Sequence, residues 1–252
     1  MSAVSYTHLD VYKRQGLLRS AGISASQVRA IGSHGQTLLH RPAGEAPFTL
    51  QIGDPNIIAE RLGIDVVADF RRRDLAAGGE GAPLMPAFHA AVFAAPGQLR
   101  AVVNIGGIAN VTVLMADGSV IGFDTGPGNC LLDAWSRRHL REAYDAGGTW
   151  AASGTVDQAL LAQLLALPYF ARSAPKSTGR DTFSDQWLEG VLAARSISPV
   201  DVQSTLSELT ARSIADALLA AAGTAPREIY VCGGGAFNAC LLYTSLRLYP
   251  ST

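Results

Sequence analysis

Cysteine is scarce and ill-placed for cross-linking: the three in 252 residues, Cys130, Cys232 and Cys240, are odd in number and lack metal-ligand spacing. That argues against a disulfide framework and against a zinc site. Charge is sparse too, at 16% of residues with a net of −1, so nothing in the balance points to nucleic acid or a membrane surface as partner. No apolar run approaches the roughly 20 residues of a membrane span, no signal-peptide pattern opens the chain, and no short-period repeat or low-complexity segment interrupts it. What remains, with 48% hydrophobic residues, reads as an ordinary cytoplasmic globular protein, long enough for one large or two moderate domains.

Both ends read as foreign. One nucleotide string, TCTTATACACATCT, can encode Ser5–His8 and, in a shifted frame, Leu242–Ser245, and the reverse complement of its extension can encode Asp10–Arg14. The expectation is that residues 1–15 and 240–252 are sequencing-adapter scars, to be set aside from fold reasoning. Residues 16–75 then form a partial first domain and 76–239 a second.

The most informative stretch is Gly122–Asn129, GFDTGPGN. An apolar run delivers Asp124 into a turn of Thr125, Gly126, Pro127 and Gly128, where glycine permits close backbone approach and proline stiffens the loop. A helix is expected over Asn129–Leu140, placing Asp124 at a strand end beside a helix N-terminus, a good seat for an acid–base residue facing anions. The plainer alternative is an Asx-turn without chemistry.

Other strand ends carry polar or glycine clusters. Ala30-Ile31-Gly32 reads as a strand that runs into Ser33-His34-Gly35-Gln36-Thr37, the usual place for ligand-contacting side chains in an α/β protein. His34 is read as such a contact because Gln36 and Thr37 accompany it, against the blander role of a structural hydrogen-bonder. Ile64–Ala68 reads as a buried strand ending in Asp69-Phe70-Arg71-Arg72-Arg73-Asp74, followed by Gly78, Gly79 and Gly81. An anion-contacting loop is favoured there over a solvated face, since arginine's planar fork suits carboxylates and phosphates. His89, on a helix expected over Pro83–Ala95, is read as structural. Three antiparallel strands are expected within Leu99–Phe123, joined by Gly106-Gly107 and by Asp117-Gly118. Pro175–Arg180 (PKSTGR) lacks the spacing of a phosphate loop and is read as a connector or a substrate contact. Strand Glu228–Cys232 ends in Gly233-Gly234-Gly235, whose backbone can come close to a flat or anionic ligand.

Taken in order, SHGQT, QIGDP, ADFRRRDLAAGGEGAPL, NIGGIANVTVL, GFDTGPGN, PKSTGRD and VCGGGAFN resemble anhydro-N-acetylmuramic acid kinases, members of the actin, hexokinase and heat-shock-protein-70 ATPase superfamily. The resemblance spans 16–239. It implies an α/β, two-domain ribonuclease-H-like (actin-like ATPase) fold with mixed sheets and an incomplete first domain, holding ATP and sugar in a cleft. It further implies that 1,6-anhydro-N-acetylmuramate, ATP and water give N-acetylmuramate 6-phosphate and ADP in cell-wall recycling. On the same resemblance Asp124 is the catalytic base, and Arg72, with His34, Gln36 and Thr37, contacts the sugar. Asn104, Gly106, Gly107, Gly126, Gly233, Gly234 and Gly235 surround the nucleotide, which comes with Mg2+ whose ligands stay unassigned. A homodimer is left open. The family's N-terminal phosphate loop and its C-terminal substrate-site glutamate have no counterpart here, so the parent is expected to be active and this chain inactive or nearly so. The alternatives are another sugar or acyl kinase of the superfamily and an ATP-driven clamp; a response of ATP consumption to anhydro sugar separates them.

Overall fold

A computed structural model describes residues 3–42, 44–179 and 181–247. The chain divides into two compact units, Met1–Leu84 and Met85–Thr252. Arg180 of the PKSTGRD motif, like residues 1, 2 and 248–252 of the two terminal stretches, lies outside the described residues.

In the first unit, helix α1 (Ala3–Ala21) is followed by strand β1 (Ile31–Gly32), hairpin strands β2 (Gln36–Arg41) and β3 (Phe48–Ile52), helix α2 (Pro55–Leu62), strand β4 (Val66–Val67) and helix α3 (Phe70–Ala76). β1 and β4 pair in parallel, and β2 and β3 antiparallel. Helix α2 is capped at both ends: Asp54 accepts from the Asn56 N–H at 2.8 Å, Pro55 opens the helix, and Gly63 closes it at φ 63°. Val11, Ile58 and Ile64 are buried.

Within the SHGQT cluster, Gln36 and Thr37 open β2 and pair with Ile52 and Gln51. One expectation fails here. The arginine run is helical rather than a loop, since Asp69 turns the chain at φ 59° and Phe70–Ala76, rich in good helix formers, follows. The glycines behind it wrap a side chain. Asp74 accepts from the Gly81 N–H at 2.7 Å, and a Cβ on Gly79 would stand 2.2 Å from the same carboxylate.

In the second unit, helix α4 (Pro86–Phe93) leads to strands β5 (Arg100–Ile105), β6 (Ile108–Leu114) and β7 (Val120–Pro127). Then come α5 (Cys130–His139), α6 (Thr149–Ala152), α7 (Gln158–Leu165), α8 (Asp185–Leu192), α9 (Pro199–Ala222), β8 (Glu228–Cys232) and α10 (Ala239–Arg247). The sheet order is β7-β6-β5-β8, an antiparallel meander with β8 added in parallel to β5. A parallel partner needs a crossover, and the helices α5–α9 supply it. The mixed α/β architecture is the one expected.

Helix α9 serves two cores in succession. Val202, Leu206 and Leu209 pack with Leu131, Leu132, Trp135, Leu160, Leu164 and Leu188 of neighbouring helices and with Phe183 just before α8. Further along, Ala211, Ile214 and Leu218 cover Val111, Val113 and Phe123 of the sheet. Each such buried leucine or isoleucine is worth about 1.5–3 kcal/mol. Leu241 of α10, in a stretch set apart on sequence grounds, is fully buried in that second cluster.

Candidate functional site

Strand β7 does not stop at Phe123; it runs on to Pro127. The meander absorbs one extra residue there, since Asn110 pairs with Asp124 and Ala109 with Gly126, leaving Thr125 as a bulge. Asp124 therefore sits within a bulged strand. The Asp124 side chain is 5% exposed, and its Oδ2 accepts from the Thr178 N–H at 3.0 Å and from the Ser177 hydroxyl at 3.3 Å. The Asp124 N–H donates to the Lys176 carbonyl at 3.0 Å, and its carbonyl accepts from the Tyr169 hydroxyl at 2.7 Å. Segment Tyr169–Thr178 thus grips both the peptide groups and the carboxylate.

The helix that follows is less open to anions than the sequence suggested. The Gly107 carbonyl accepts from the Gly128 and Cys130 N–H groups, each at 3.0 Å, and the Gly106 carbonyl from the Asn129 N–H at 2.8 Å. Asn129 Nδ2 donates to the Ile105 and Gly106 carbonyls at 3.0 and 3.2 Å, and Thr210 Oγ1 donates to the Gly128 carbonyl at 3.0 Å. These bonds dock the Gly106-Gly107 turn onto the GPGN segment. Gly128 is required by contact, because a Cβ there would lie 2.2 Å from the Gly106 oxygen. Gly126 is buried, and a Cβ on it would meet Phe170 at 2.7 Å and Ser213 at 3.1 Å.

Beside this turn lies the triple glycine. Asn104 and Cys232 are register partners, so β5 and β8 end together, and the carboxyl ends of strands are where open α/β sheets bind ligands. Gly233, at φ 83°, packs where a Cβ would stand 2.6 Å from Asn104 Oδ1, and Gly235 packs against Ile105, while Gly233 and Gly234 are exposed. A cavity of about 350 Å³ opens here, lined among others by Asn129, Asp133, Asp145, Gly234 and Asn238.

The first unit carries its own polar cavity, about 430 Å³, lined by Ser33, His34, Gly35, Gln51, Asp54, Asp69 and Arg72 among others. It unites His34 and Arg72. Arg71 Nε donates to His34 Nε2 at 2.8 Å, so the imidazole proton is on Nδ1, which donates to the Gly35 carbonyl at 3.0 Å. Arg72 is exposed and pairs loosely with Asp69 at 3.8 Å. Gln36 and Thr37 do not line this cavity: the Gln36 side chain bonds the Thr37 carbonyl, at 3.4 Å, and Thr37 Oγ1 accepts from Gln51, which does.

Sequence reasoning missed Arg71 as the arginine that bonds His34, Gln51, and above all the grip on Asp124. Pro175–Arg180 was noticed, yet nothing in its spacing tied it to a residue some fifty positions earlier.

Comparison with known proteins bears on the family. The family model described as anhydro-N-acetylmuramic acid kinase matches residues 5–251. The chain is 55% identical over 237 residues to the anhydro-N-acetylmuramic acid kinase of Shewanella pealeana, covering 93% of this chain and 64% of that protein. It is 55% identical over 226 residues to that of Xanthomonas campestris pv. campestris, covering 90% and 60%. The chain thus spans less than two thirds of the length of these relatives. Among solved structures it is similar to the activator of 2-hydroxyisocaproyl-CoA dehydratase from Clostridium difficile, at 16% identity and a TM-score of 0.43, covering 87% and 83% of the two chains. On the family match and the 55% identities, the chain belongs to the anhydro-N-acetylmuramic acid kinase family.

Proposed function

We propose that the full-length kinase carrying these residues opens and phosphorylates 1,6-anhydro-N-acetylmuramate, with Asp124 as general base. The sugar has no free 6-hydroxyl. Asp124 takes a proton from water as the water oxygen bonds to C1, the C1–O6 bond breaks, and O6 takes the γ-phosphoryl group as ADP leaves. ATP, when bound, supplies that phosphoryl group, and catalysis otherwise rests on positioning and charge stabilisation. The carrying observation is a buried carboxylate whose Oδ2 receives two donors and whose peptide groups are both held. Thr178 Oγ1, on the residue that bonds this carboxylate, is buried with no hydrogen-bond partner among the described residues, and a polar ligand or water satisfies such a group.

The exposed Gly233 and Gly234, and the cavity that Gly234 lines with Asn129 and Asn238, fit the nucleotide. Asn104 and the Gly106-Gly107 turn support that surface from below, while Gly126, buried against Phe170, contributes packing. Arg72 and His34 are the sugar contacts, with Arg72 suited to the lactyl carboxylate. No group of three or more His, Cys, Asp or Glu that could hold a metal occurs among the described residues. Magnesium is commonly held by one or two carboxylates plus substrate phosphates, so no residue is assigned to it and no step runs through it. No helix among the described residues is long and apolar enough to cross a membrane, and the reading assigns the enzyme to the cytoplasm.

The test is ADP release with 1,6-anhydro-N-acetylmuramate. Asp124→Asn should lower kcat by about 10²–10⁴, the usual worth of a general base, with KM little changed. Equal turnover in the variant removes Asp124 from the mechanism.

A further inference from the structure

Lys176 is a charged group that the proposed reaction does not use. Its side chain is 3% exposed, and no carboxylate of the described residues forms an ion pair with it. Nζ instead donates to the carbonyls of Tyr169 at 3.3 Å and Phe170 at 3.4 Å, and lies 4.8 Å from the centroid of the Tyr169 ring. Burying an ammonium without an anion is costly. Burial first, and then the charge of Arg172, pulls its pKa below the ordinary lysine value. An apolar side chain of similar volume would serve stability at least as well, so the amine must earn its place by what it positions.

Tyr169 and the Lys176 backbone converge on Asp124. Tyr169, under the ammonium, gives its hydroxyl to the Asp124 carbonyl, and the Lys176 carbonyl receives the Asp124 N–H. The next two residues, Ser177 and Thr178, supply donors to the carboxylate. A turn whose first and last residues bond the same aspartate keeps those donors in place only while the turn stays closed, and the Lys176 amine bonds across that turn.

We propose that Lys176, acting with Tyr169, is a positioning residue for Asp124: the buried ammonium closes the Tyr169–Thr178 turn so that the Thr178 N–H and the Ser177 hydroxyl meet the carboxylate. This rests on the reading of Asp124 as the base. It adds to that reading the device that aims the base.

In the full-length kinase, Lys176→Met, Lys176→Arg, Tyr169→Phe and Asp124→Asn are compared with the unaltered enzyme by ADP release, with kcat and both KM values measured across pH. Lys176→Met and Tyr169→Phe should lower kcat about ten- to hundredfold, the loss expected when a catalytic group shifts by about 1 Å. Both KM values should stay within about threefold, the pattern of an interaction acting in the transition state. Lys176→Arg should recover much of the loss. The acid limb of the kcat profile should move to higher pH, because lost donors no longer favour the charged carboxylate. A purely structural role would lower the melting temperature and the active fraction but leave the profile in place. Unchanged kcat and profile in Lys176→Met and Tyr169→Phe, with Asp124→Asn inactive, overturns the proposal and leaves the base reading intact. Undiminished turnover in Asp124→Asn overturns the base reading itself. If Lys176→Met fails to fold, Tyr169→Phe, which keeps the ring, decides by the same two criteria.

Discussion

Asp124 and Arg72 stand in opposite settings. Asp124 is buried in a bulged strand, with its carboxylate and both its peptide groups bonded to a turn some fifty residues later. Arg72 rides on an exposed helix face, and its nearest acid, Asp69, is 3.8 Å away and itself exposed. On the proposed function the contrast separates two kinds of side chain. One is held in place by the fold, at the expense of burying polar groups; the other stands in water, where its ligand would order it.

Breaking the pre-built region should have the larger effect. Gly128→Ala puts a Cβ 2.2 Å from the Gly106 oxygen, where backbone must move, so a loss of about 3 kcal/mol or more in urea unfolding is expected. Gly190, in α8 with open space around it, is the control: Gly190→Ala should stabilise by about 0.5–1 kcal/mol. Equal outcomes at the two positions would mean the docked glycine turns are not rigid. On the exposed side, Arg72→Ala should shift stability by no more than about 0.5 kcal/mol while raising KM for the sugar about tenfold, the worth of one charge-assisted contact. A stability loss without a KM change would make Arg72 a structural residue.

The smallest effect concerns a histidine. His89 is 5% exposed with Nδ1 2.8 Å from Thr112 Oγ1, and burial holds its pKa below the usual 6.5. The fold therefore favours the neutral ring. This contribution is complete above about pH 6.5 and is lost as pH falls through the lowered value, because the unfolded chain takes up the proton first. Melting temperature should decline on acidification from pH 7 to pH 5, and less so in His89→Gln. An identical decline in the variant would assign it to other groups, such as His40 of the first unit, which burial and Arg71 also hold low.

Local patterns were legible where local physics decides. The Asp117-Gly118 turn was expected and joins β6 to β7, and the expected strand Glu228–Cys232 is β8. The arginine run misled because residues good at helix formation were read by their charge, and the strand at Asp124 ran longer because pairing with β6 carried it through Gly126. Of the glycines singled out in the sequence, Gly126, Gly128 and Gly235 stand where a side chain would meet close neighbours.

By itself, then, the sequence determined the family, the mixed α/β class and the aspartate to watch, because these depend on motif order, short-range periodicity and turn chemistry. Only the tertiary structure decided which groups hold that aspartate, which tautomer His34 adopts and why Lys176 is buried. Those outcomes rest on contacts between residues 37 to 54 positions apart, or on a ring stacked beneath a cation, and no local pattern encodes which distant groups the fold will bring to one place.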